Sequence, residues 1–132
     1  MSEFKMQHKF LVKELSLINH DLTDETTFQL KPAFSKKIEK IGDNEYEVAL
    51  KVEIKNTAEN PFPFDLTAVV ALLTKIDGTI DEKDLDHYLN SNCVQIIFPY
   101  LRSSVTSLTS ASLMAPLILP IIDASNFETN DQ

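Results

Sequence analysis

Glycine, tryptophan and cysteine are scarce in this chain of 132 residues. Gly42 and Gly78 are the only glycines, tryptophan is absent, and Cys93 is the only cysteine. Average usage would give about nine glycines in a chain of this length. The scarcity excludes glycine-rich phosphate loops and the enzymes that are built on them. A single cysteine cannot form an internal disulfide, which fits a reducing compartment.

Basic residues are outnumbered and long apolar runs are missing. The chain has 12 Lys and Arg against 20 Asp and Glu, a net charge of −8. Nucleic-acid binding needs clustered positive charge, so we expect no nucleic-acid partner. No apolar run reaches the ~18 residues of a membrane helix, and no signal peptide opens the sequence. We therefore expect a cytoplasmic protein that does not insert into membranes.

Alternation of apolar and polar residues dominates the first two-thirds of the chain. In the clearest run, residues 45–55, the apolar side chains share one face: Tyr46, Val48, Leu50, Val52 and Ile54. This period of two indicates a half-buried strand. Residues 28–41 and 62–76 predict further strands, and residues 9–18 form a fourth candidate that carries apolar residues on both faces. Residues 42–44 are typical of a hairpin turn.

Helical spacing replaces this alternation after Gly78. Asp81 can cap a helix, and apolar residues then recur three and four positions apart: Leu85, Tyr88, Leu89, Val94, Ile97, Phe98, Leu101, Val105 and Leu108. Pro99 leaves two alternatives, because proline inside a helix removes a hydrogen bond. The helix continues with a kink at Pro99, which the local spacing favours, or a buried strand over residues 93–98 precedes a helix that begins at Pro99.

These patterns predict one α+β domain over residues 1–132. A four-stranded antiparallel sheet occupies residues 1–76 and a helical region residues 81–112, with the long helix packed on one side of the sheet. Residues 113–127 are predicted to form an extended apolar strap, because Pro116 and Pro120 disfavour a helix there. We expect residues 128–132 to be a frayed tail.

Catalytic and metal-binding patterns are weak. The run Asp77-Gly78-Thr79-Ile80-Asp81 is similar to part of a calcium loop, but that register puts Leu73 and Lys75 at ligand positions. The three histidines have no ligand spacing, and apolar neighbours of Cys93 indicate a buried, inert thiol. We expect no catalytic, cofactor or metal site, and a protein that is not an enzyme.

Two features suggest contact with another chain. Hydroxyl side chains crowd the helix around residues 102–112: Ser103, Ser104, Thr106, Ser107, Thr109, Ser110 and Ser112. They fit either an oligomer interface or a poorly optimised surface helix. Residues 117–122 are non-polar throughout and cannot all face one core in an extended chain. They fit partial core packing or a groove for extended polypeptide.

Residues 92–102, Asn-Cys-Val-Gln-Ile-Ile-Phe-Pro-Tyr-Leu-Arg, resemble the signature of the bacterial export chaperone SecB family. The matching positions are Cys93, Ile96, Phe98, Pro99, Tyr100 and Arg102. The strand around Tyr46-Glu47-Val48, the strap Leu117-Ile118-Leu119-Pro120 and the pair Asn126-Phe127 are also similar to family segments. The resemblance covers roughly residues 45–127.

The resemblance implies an ATP-independent holdase that binds unfolded or precursor polypeptides and delivers them to SecA. It also implies a homo-oligomer, a dimer of dimers with the long helices at the interface. The sequence stops five residues after Phe127. We therefore expect the family's further helix and the tail that helps to bind SecA to be missing, which weakens the expectation of SecA as a partner.

Candidate contact residues follow from the apolar pattern and the resemblance. For client polypeptides they are Phe62, Phe64, Leu117, Leu119 and Ile121; for subunit contact they are Phe98, Leu101, Val105 and Leu108. The alternative function is a SecB-fold protein dedicated to one partner, such as an antitoxin or another regulatory chain. A small-ligand binder or an unrecognised enzyme is the third hypothesis.

Overall fold

A computed structural model describes residues 3–20, 28–112, 114, 116–120, 122 and 127–129. Four long strands come first: β1 (Glu3–Asn19), β2 (Ala33–Gly42), β3 (Glu45–Ile54) and β4 (Phe64–Thr79). A helical region follows: α1 (Glu82–His87), a π-helical turn (Tyr88–Asn92) and α2 (Cys93–Ala111). The short strand β5 (Glu128–Thr129) comes last.

The strands form one sheet in the order β1-β4-β3-β2-β5. The pairs β1–β4, β4–β3 and β3–β2 are antiparallel, which confirms the predicted four-stranded antiparallel sheet. The strand β1 lies beside β4, so the chain crosses the sheet between its first two strands. The strand β5 pairs in parallel with β2, with Ser35 opposite Glu128 and Lys36 opposite Thr129.

Side-chain alternation explains which face of the sheet is covered. In β3, Val48, Leu50, Val52 and Ile54 are buried, while the intervening residues are only partly covered. The strand β4 repeats this pattern and is also covered at Ala71, because it lies between β1 and β3. The β2–β3 turn contains Asn44 at φ 56°, a left-handed conformation that asparagine tolerates well.

The helical region is continuous from Glu82 to Ala111, with Pro99 inside α2. The predicted helix through Pro99 is therefore correct, and the alternative of a strand over residues 93–98 is wrong. Asp81 occupies the N-cap position, and its carbonyl accepts a hydrogen bond from the amide of Leu85 (2.8 Å). The apolar stripe of α2 packs on β3 and β4: Val94, Ile97, Phe98, Leu101 and Val105 are all buried.

The strap after α2 is held by the helix itself. The Arg102 side chain donates from Nε to the carbonyl of Leu119 (3.0 Å), and the Thr106 hydroxyl donates to the carbonyl of Leu117 (2.8 Å). The amide of Leu117 donates to the Thr109 hydroxyl (2.9 Å). Two of the crowded hydroxyls thus serve the chain's own strap, a role that neither explanation from the sequence included.

The tail differs from its prediction. Residues 128–132 were expected to fray, but Glu128 and Thr129 form β5 beside β2. The reason is Phe127, which precedes β5 and is almost fully buried in the core. In the described part of the chain, no helix combines the length and the hydropathy needed to cross a bilayer.

Leu101 provides a test of the helix–sheet packing. Its side chain is fully buried, so we expect Leu101→Ala to lower the free energy of unfolding by about 2–5 kcal/mol through lost contacts and a cavity. Ser107, on the exposed face of the same helix, is the matched control, and Ser107→Ala should change it by less than about 0.5 kcal/mol. Urea denaturation at one protein concentration measures both. Similar losses in the two variants would contradict the packing described here.

Candidate polypeptide-binding site

The structure places most of the predicted client-binding residues in the core. Phe62 and Phe64 are buried and pack edge to face on each other, with ring centroids 4.9 Å apart. In the strap, Leu119 is fully buried and Leu117 is partly buried. Ile121 lies outside the described residues. The prediction of exposed client contacts at Phe62, Phe64 and Leu119 is corrected: these side chains stabilise the chain's own core.

The structure also places the predicted subunit-contact residues against the core of their own chain. Phe98, Leu101 and Val105 are buried against the sheet of their own chain, and Leu108 is partly buried against the same core. Helical spacing identifies an apolar stripe but does not tell whether the stripe meets its own sheet or another subunit. The structure corrects the prediction for Leu101 and Val105, which leave no surface for a partner, while Phe98 keeps only a small accessible area, beside a cavity next to α2.

Three phenylalanine rings pack together between β2, α2 and the C-terminal residues. The ring centroids of Phe34 and Phe98 lie 6.2 Å apart, those of Phe34 and Phe127 5.3 Å, and those of Phe98 and Phe127 5.7 Å, all edge to face. Beside them is a cavity of about 320 Å³, lined by Val94, Gln95, Phe98, Pro99, Arg102, Ile122 and Phe127. We call this cavity, together with the adjoining position against Phe34 and Phe98 that the Phe127 ring fills, the aromatic groove.

Arg102 links the aromatic groove to the strap. Its guanidinium carbon lies 6.0 Å from the centroid of the Phe98 ring, within reach of a cation–π interaction. Its Nε donates to the carbonyl of Leu119, so the same side chain fixes one edge of the groove. Edge-to-face rings, apolar walls and a rim of Gln95 and Arg102 suit an apolar side chain on an extended backbone.

A second apolar surface lies along the outer edge of β1. Four large side chains are exposed there: Phe10 (37%), Val12 (52%), Leu15 (43%) and Tyr100 (51%). The rings of Phe10 and Tyr100 are in contact, with centroids 4.5 Å apart, so β1 and α2 both contribute to it. We call these four residues the β1 edge surface. Within the described residues, the outer edge of β1 has no partner strand.

Sequence reasoning missed the β1 edge surface, although a signal was present. The β1 segment has apolar residues on both faces, unlike the clean alternation of β3. A register shift between Val12 and Glu14 explains part of this, because the extra residue moves the following side chains to the other face. After the shift Leu15 lies on the same face as Phe10 and Val12.

A partly buried polar cluster joins β1, β4 and the helical region. The hydroxyl of Tyr88 makes hydrogen bonds of 2.7 Å with Nε2 of His8 and with the hydroxyl of Thr74. Burial raises the pKa of Tyr88, and burial also raises the pKa of the Cys93 thiol to about 11. Cys93 is fully buried, as predicted. Both groups therefore stay neutral near pH 7, which indicates a structural role.

The carboxylate of Asp65 organises the turn that leads into β4. Its Oδ1 accepts a hydrogen bond from the amide of Asn56 (2.7 Å), and its Oδ2 lies 3.1 Å from Nε2 of His20. The Asn56 side chain in turn accepts from the amide of Phe62 (2.9 Å). The Asn56 amide is the main cause of a lowered pKa at Asp65, and His20 adds to the effect. This network fixes Phe62 in the core.

Metal-binding groups are not gathered anywhere in the described residues: no cluster of three or more His, Cys, Asp or Glu side chains could hold an ion. The candidate site is therefore the aromatic groove together with the β1 edge surface. What this arrangement offers chemically is apolar contact and backbone hydrogen bonding.

Comparison with known proteins identifies the family. The model of the family described as "Preprotein translocase subunit SecB" matches residues 1–130. The chain belongs to the SecB family. Its relatives include the protein-export protein SecB of Acinetobacter baumannii, 33% identical over 79% of this chain and 68% of the relative. The SecB of Orientia tsutsugamushi is 30% identical over 92% of this chain and 79% of the relative.

A solved structure supports the fold of this SecB-family chain. The SecB-like chaperone of Mycobacterium tuberculosis, solved in complex with a ChAD peptide from the HigA1 antitoxin, superposes with a TM-score of 0.70. The match covers 91% of each chain at 15% sequence identity. At that identity the similarity shows that the two chains share a fold.

Acid titration tests the Asp65 network in this SecB-family chain. The pKa of Asp65 is lower in the folded chain than in the unfolded one, so its contribution to stability is complete above the unfolded value, near 4, and is lost as the pH falls through the folded value. We expect Asp65→Asn to lower the unfolding midpoint at pH 7 and to weaken the fall in stability between about pH 5 and 3.

The matched control for this titration is Asp43→Asn, because Asp43 is exposed in the β2–β3 turn. Chemical denaturation at a series of pH values measures the wild-type chain and both variants. If Asp43→Asn and Asp65→Asn gave the same pH profile, the network would not be the source of the acid dependence.

Proposed function

We propose that this chain is an ATP-independent holdase chaperone that binds unfolded or precursor polypeptides in the aromatic groove, in support of protein export. The observation that carries the proposal is the SecB family match over residues 1–130. The geometry supports it, because the described residues present an apolar groove and exposed apolar side chains.

Passive binding is sufficient for this activity. A protein that binds the non-native form of a client lowers the concentration of free unfolded chain, and so slows both aggregation and folding by mass action. A native client hides its apolar side chains and an extended one displays them. An aromatic groove with an adjacent strand therefore selects non-native segments without any chemical step.

Net negative charge is compatible with such a surface. The chain carries a charge of −8 while Phe10, Val12 and Tyr100 stay exposed. Mutual repulsion between like-charged chains opposes non-specific association through these apolar patches.

The β1 edge surface is the best candidate for contact with a second copy of the chain. An open strand edge presents unpaired backbone groups, and a long, apolar one is an aggregation hazard unless something covers it. A two-fold axis beside β1 would pair the same edge of two chains and bury the β1 edge surface on both. In this proposal Phe10, Val12, Leu15 and Tyr100 replace Phe98, Leu101 and Val105 as subunit-contact residues.

A dedicated partner is the second candidate function. The structural neighbour of 15% identity was solved with a peptide from an antitoxin, so another chain of this fold binds a segment of one particular protein. A pull-down from the native host distinguishes the two functions. A general holdase retains many non-native chains at low stoichiometry, whereas a dedicated chaperone retains one partner in an equimolar complex.

Phe34 provides the test of client binding. Its side chain is partly buried and forms one wall of the aromatic groove, so we expect Phe34→Ala to weaken the binding of an unfolded client by about tenfold. Suppression of aggregation of a misfolding client, measured by light scattering against chaperone concentration, reports the change. Wild-type chain that leaves aggregation unchanged at stoichiometric amounts would refute the holdase proposal.

The matched control for that assay is Phe28→Ala. Phe28 is also partly buried and contacts another phenylalanine, Phe62, with centroids 6.2 Å apart, but it does not line the aromatic groove. It should retain wild-type suppression once both variants are shown to be folded by chemical denaturation.

Val12 tests the β1 edge surface. A carboxylate at this exposed position would have to be buried in a β1–β1 contact, so we expect Val12→Glu to reduce the mass in solution to that of one chain, 14.9 kDa. Ile41→Glu is the matched control, since Ile41 is exposed near the end of β2 and lies outside the β1 edge surface. Multi-angle light scattering gives the masses. A wild-type mass of a single chain would remove the proposed pairing.

A further inference from the structure

The outer edge of β2 already holds an extended segment. Residues Glu128 and Thr129 run parallel to β2 and pair with Ser35 and Lys36. The ladder is only two residues long, and beyond Lys36 the outer edge of β2 has no strand partner among the described residues. This is the geometry of strand addition, in which an extended peptide joins the open edge of a sheet through backbone hydrogen bonds.

The side chain that precedes this short strand fills the part of the aromatic groove that lies against Phe34 and Phe98. The parallel register places Phe127 beside Phe34, on the face of the sheet that α2 covers. Its ring contacts those of Phe34 and Phe98, and only 3% of the residue stays exposed. An aromatic anchor with strand pairing directly after it is the pair of contacts that an extended client with an apolar side chain would use.

We propose that residues 127–129 are a built-in occupant of the aromatic groove, and that a client binds by displacing them. This inference rests on the proposed holdase function and adds its regulation. The clients are extended polypeptides that carry an aromatic residue, which takes the place of Phe127 while their backbone takes the place of β5 on β2.

Occupancy of the groove by residues 127–129 of the same chain, which we call self-occupancy, lowers the apparent affinity for clients. The apparent dissociation constant equals the intrinsic one divided by the fraction of chains whose groove is open. A two-residue ladder is a weak restraint and belongs to the parts of a fold that open most readily. A weak client therefore leaves the groove closed, and only segments with a good aromatic anchor compete with Phe127. The Phe127 ring also covers the rings of Phe34 and Phe98 while no client is present.

The direction in which two phenylalanine substitutions change the affinity for clients tests the proposal in the full chain. Phe34 forms the wall of the groove, and Phe127 occupies it. We expect Phe34→Ala to weaken client binding and Phe127→Ala to strengthen it by about tenfold, because it removes the competitor. If both residues had only a structural role, both substitutions would change binding in the same direction.

The probe is a fluorescein-labelled peptide with the sequence of residues 125–130, Ser-Asn-Phe-Glu-Thr-Asn, followed by fluorescence anisotropy. A second peptide with alanine in place of phenylalanine is its control, and it should bind none of the chains measurably. Phe28→Ala is the protein control. The double variant Glu128→Pro/Thr129→Pro removes the backbone donors of β5 without touching Phe127, and it should also tighten binding of the phenylalanine peptide.

The outcomes separate this inference from the function on which it rests. If the Phe127→Ala variant binds the peptide no better than the wild-type chain does, self-occupancy is wrong. The holdase proposal can still stand in that case, because it depends on whether the wild-type chain suppresses aggregation. If tighter peptide binding by Phe127→Ala accompanies no suppression of aggregation by any chain, self-occupancy is supported and the holdase proposal fails. Equal binding of the phenylalanine and alanine peptides overturns the aromatic anchor.

Discussion

Packing of the α2 stripe on the sheet is the constraint on which both apolar surfaces depend. Ile97, Leu101 and Val105 face the buried side chains of β3 and β4, and this contact fixes the rotation of the helix about its axis. With that rotation fixed, the neighbouring row formed by Arg102, Thr106 and Thr109 must face the strap. On the other side of the stripe, Tyr100 reaches Phe10 of β1. One helix therefore positions the aromatic groove and the β1 edge surface together.

Hydrogen bonds from side chains to the backbone make the strap possible. An extended segment without a partner strand leaves its amides and carbonyls unpaired, which is costly where the chain is buried. The helix supplies the partners: Arg102 and Thr106 donate to strap carbonyls, and Thr109 accepts from the amide of Leu117. Leu119 can then be fully buried although it belongs to an irregular segment. Threonine and arginine at these positions reflect this demand more than helix propensity.

Local patterns in the sequence predicted the elements, and contacts between distant residues decided their roles. The period of two in β3, the hairpin turn before it and the helix through Pro99 depend on neighbouring residues, and the structure confirms them. The placement of β1 beside β4 and the pairing of β5 with β2 join segments about 50 to 90 residues apart, which no local pattern encodes. The periodicity of the sequence placed Phe62, Leu101 and Val105 on the apolar faces of their strand and helix. It could not tell that their own sheet would bury them, whereas the family signature at residues 92–102 did identify the fold.

The two edges of the sheet differ in a way that suits two kinds of partner. The β1 edge is 17 residues long and carries exposed apolar side chains, features of a contact that stays closed once formed. The β2 edge is shorter, at 10 residues, and is covered over two residues by β5. Both edges carry exposed lysines, Lys9 and Lys13 on β1 and Lys37 and Lys40 on β2, so length and exposed apolar side chains are what distinguish the two edges. The proposed lasting contact with a second copy suits β1, and the proposed exchangeable contact with clients suits β2, where the aromatic groove adds the anchor that a short ladder lacks.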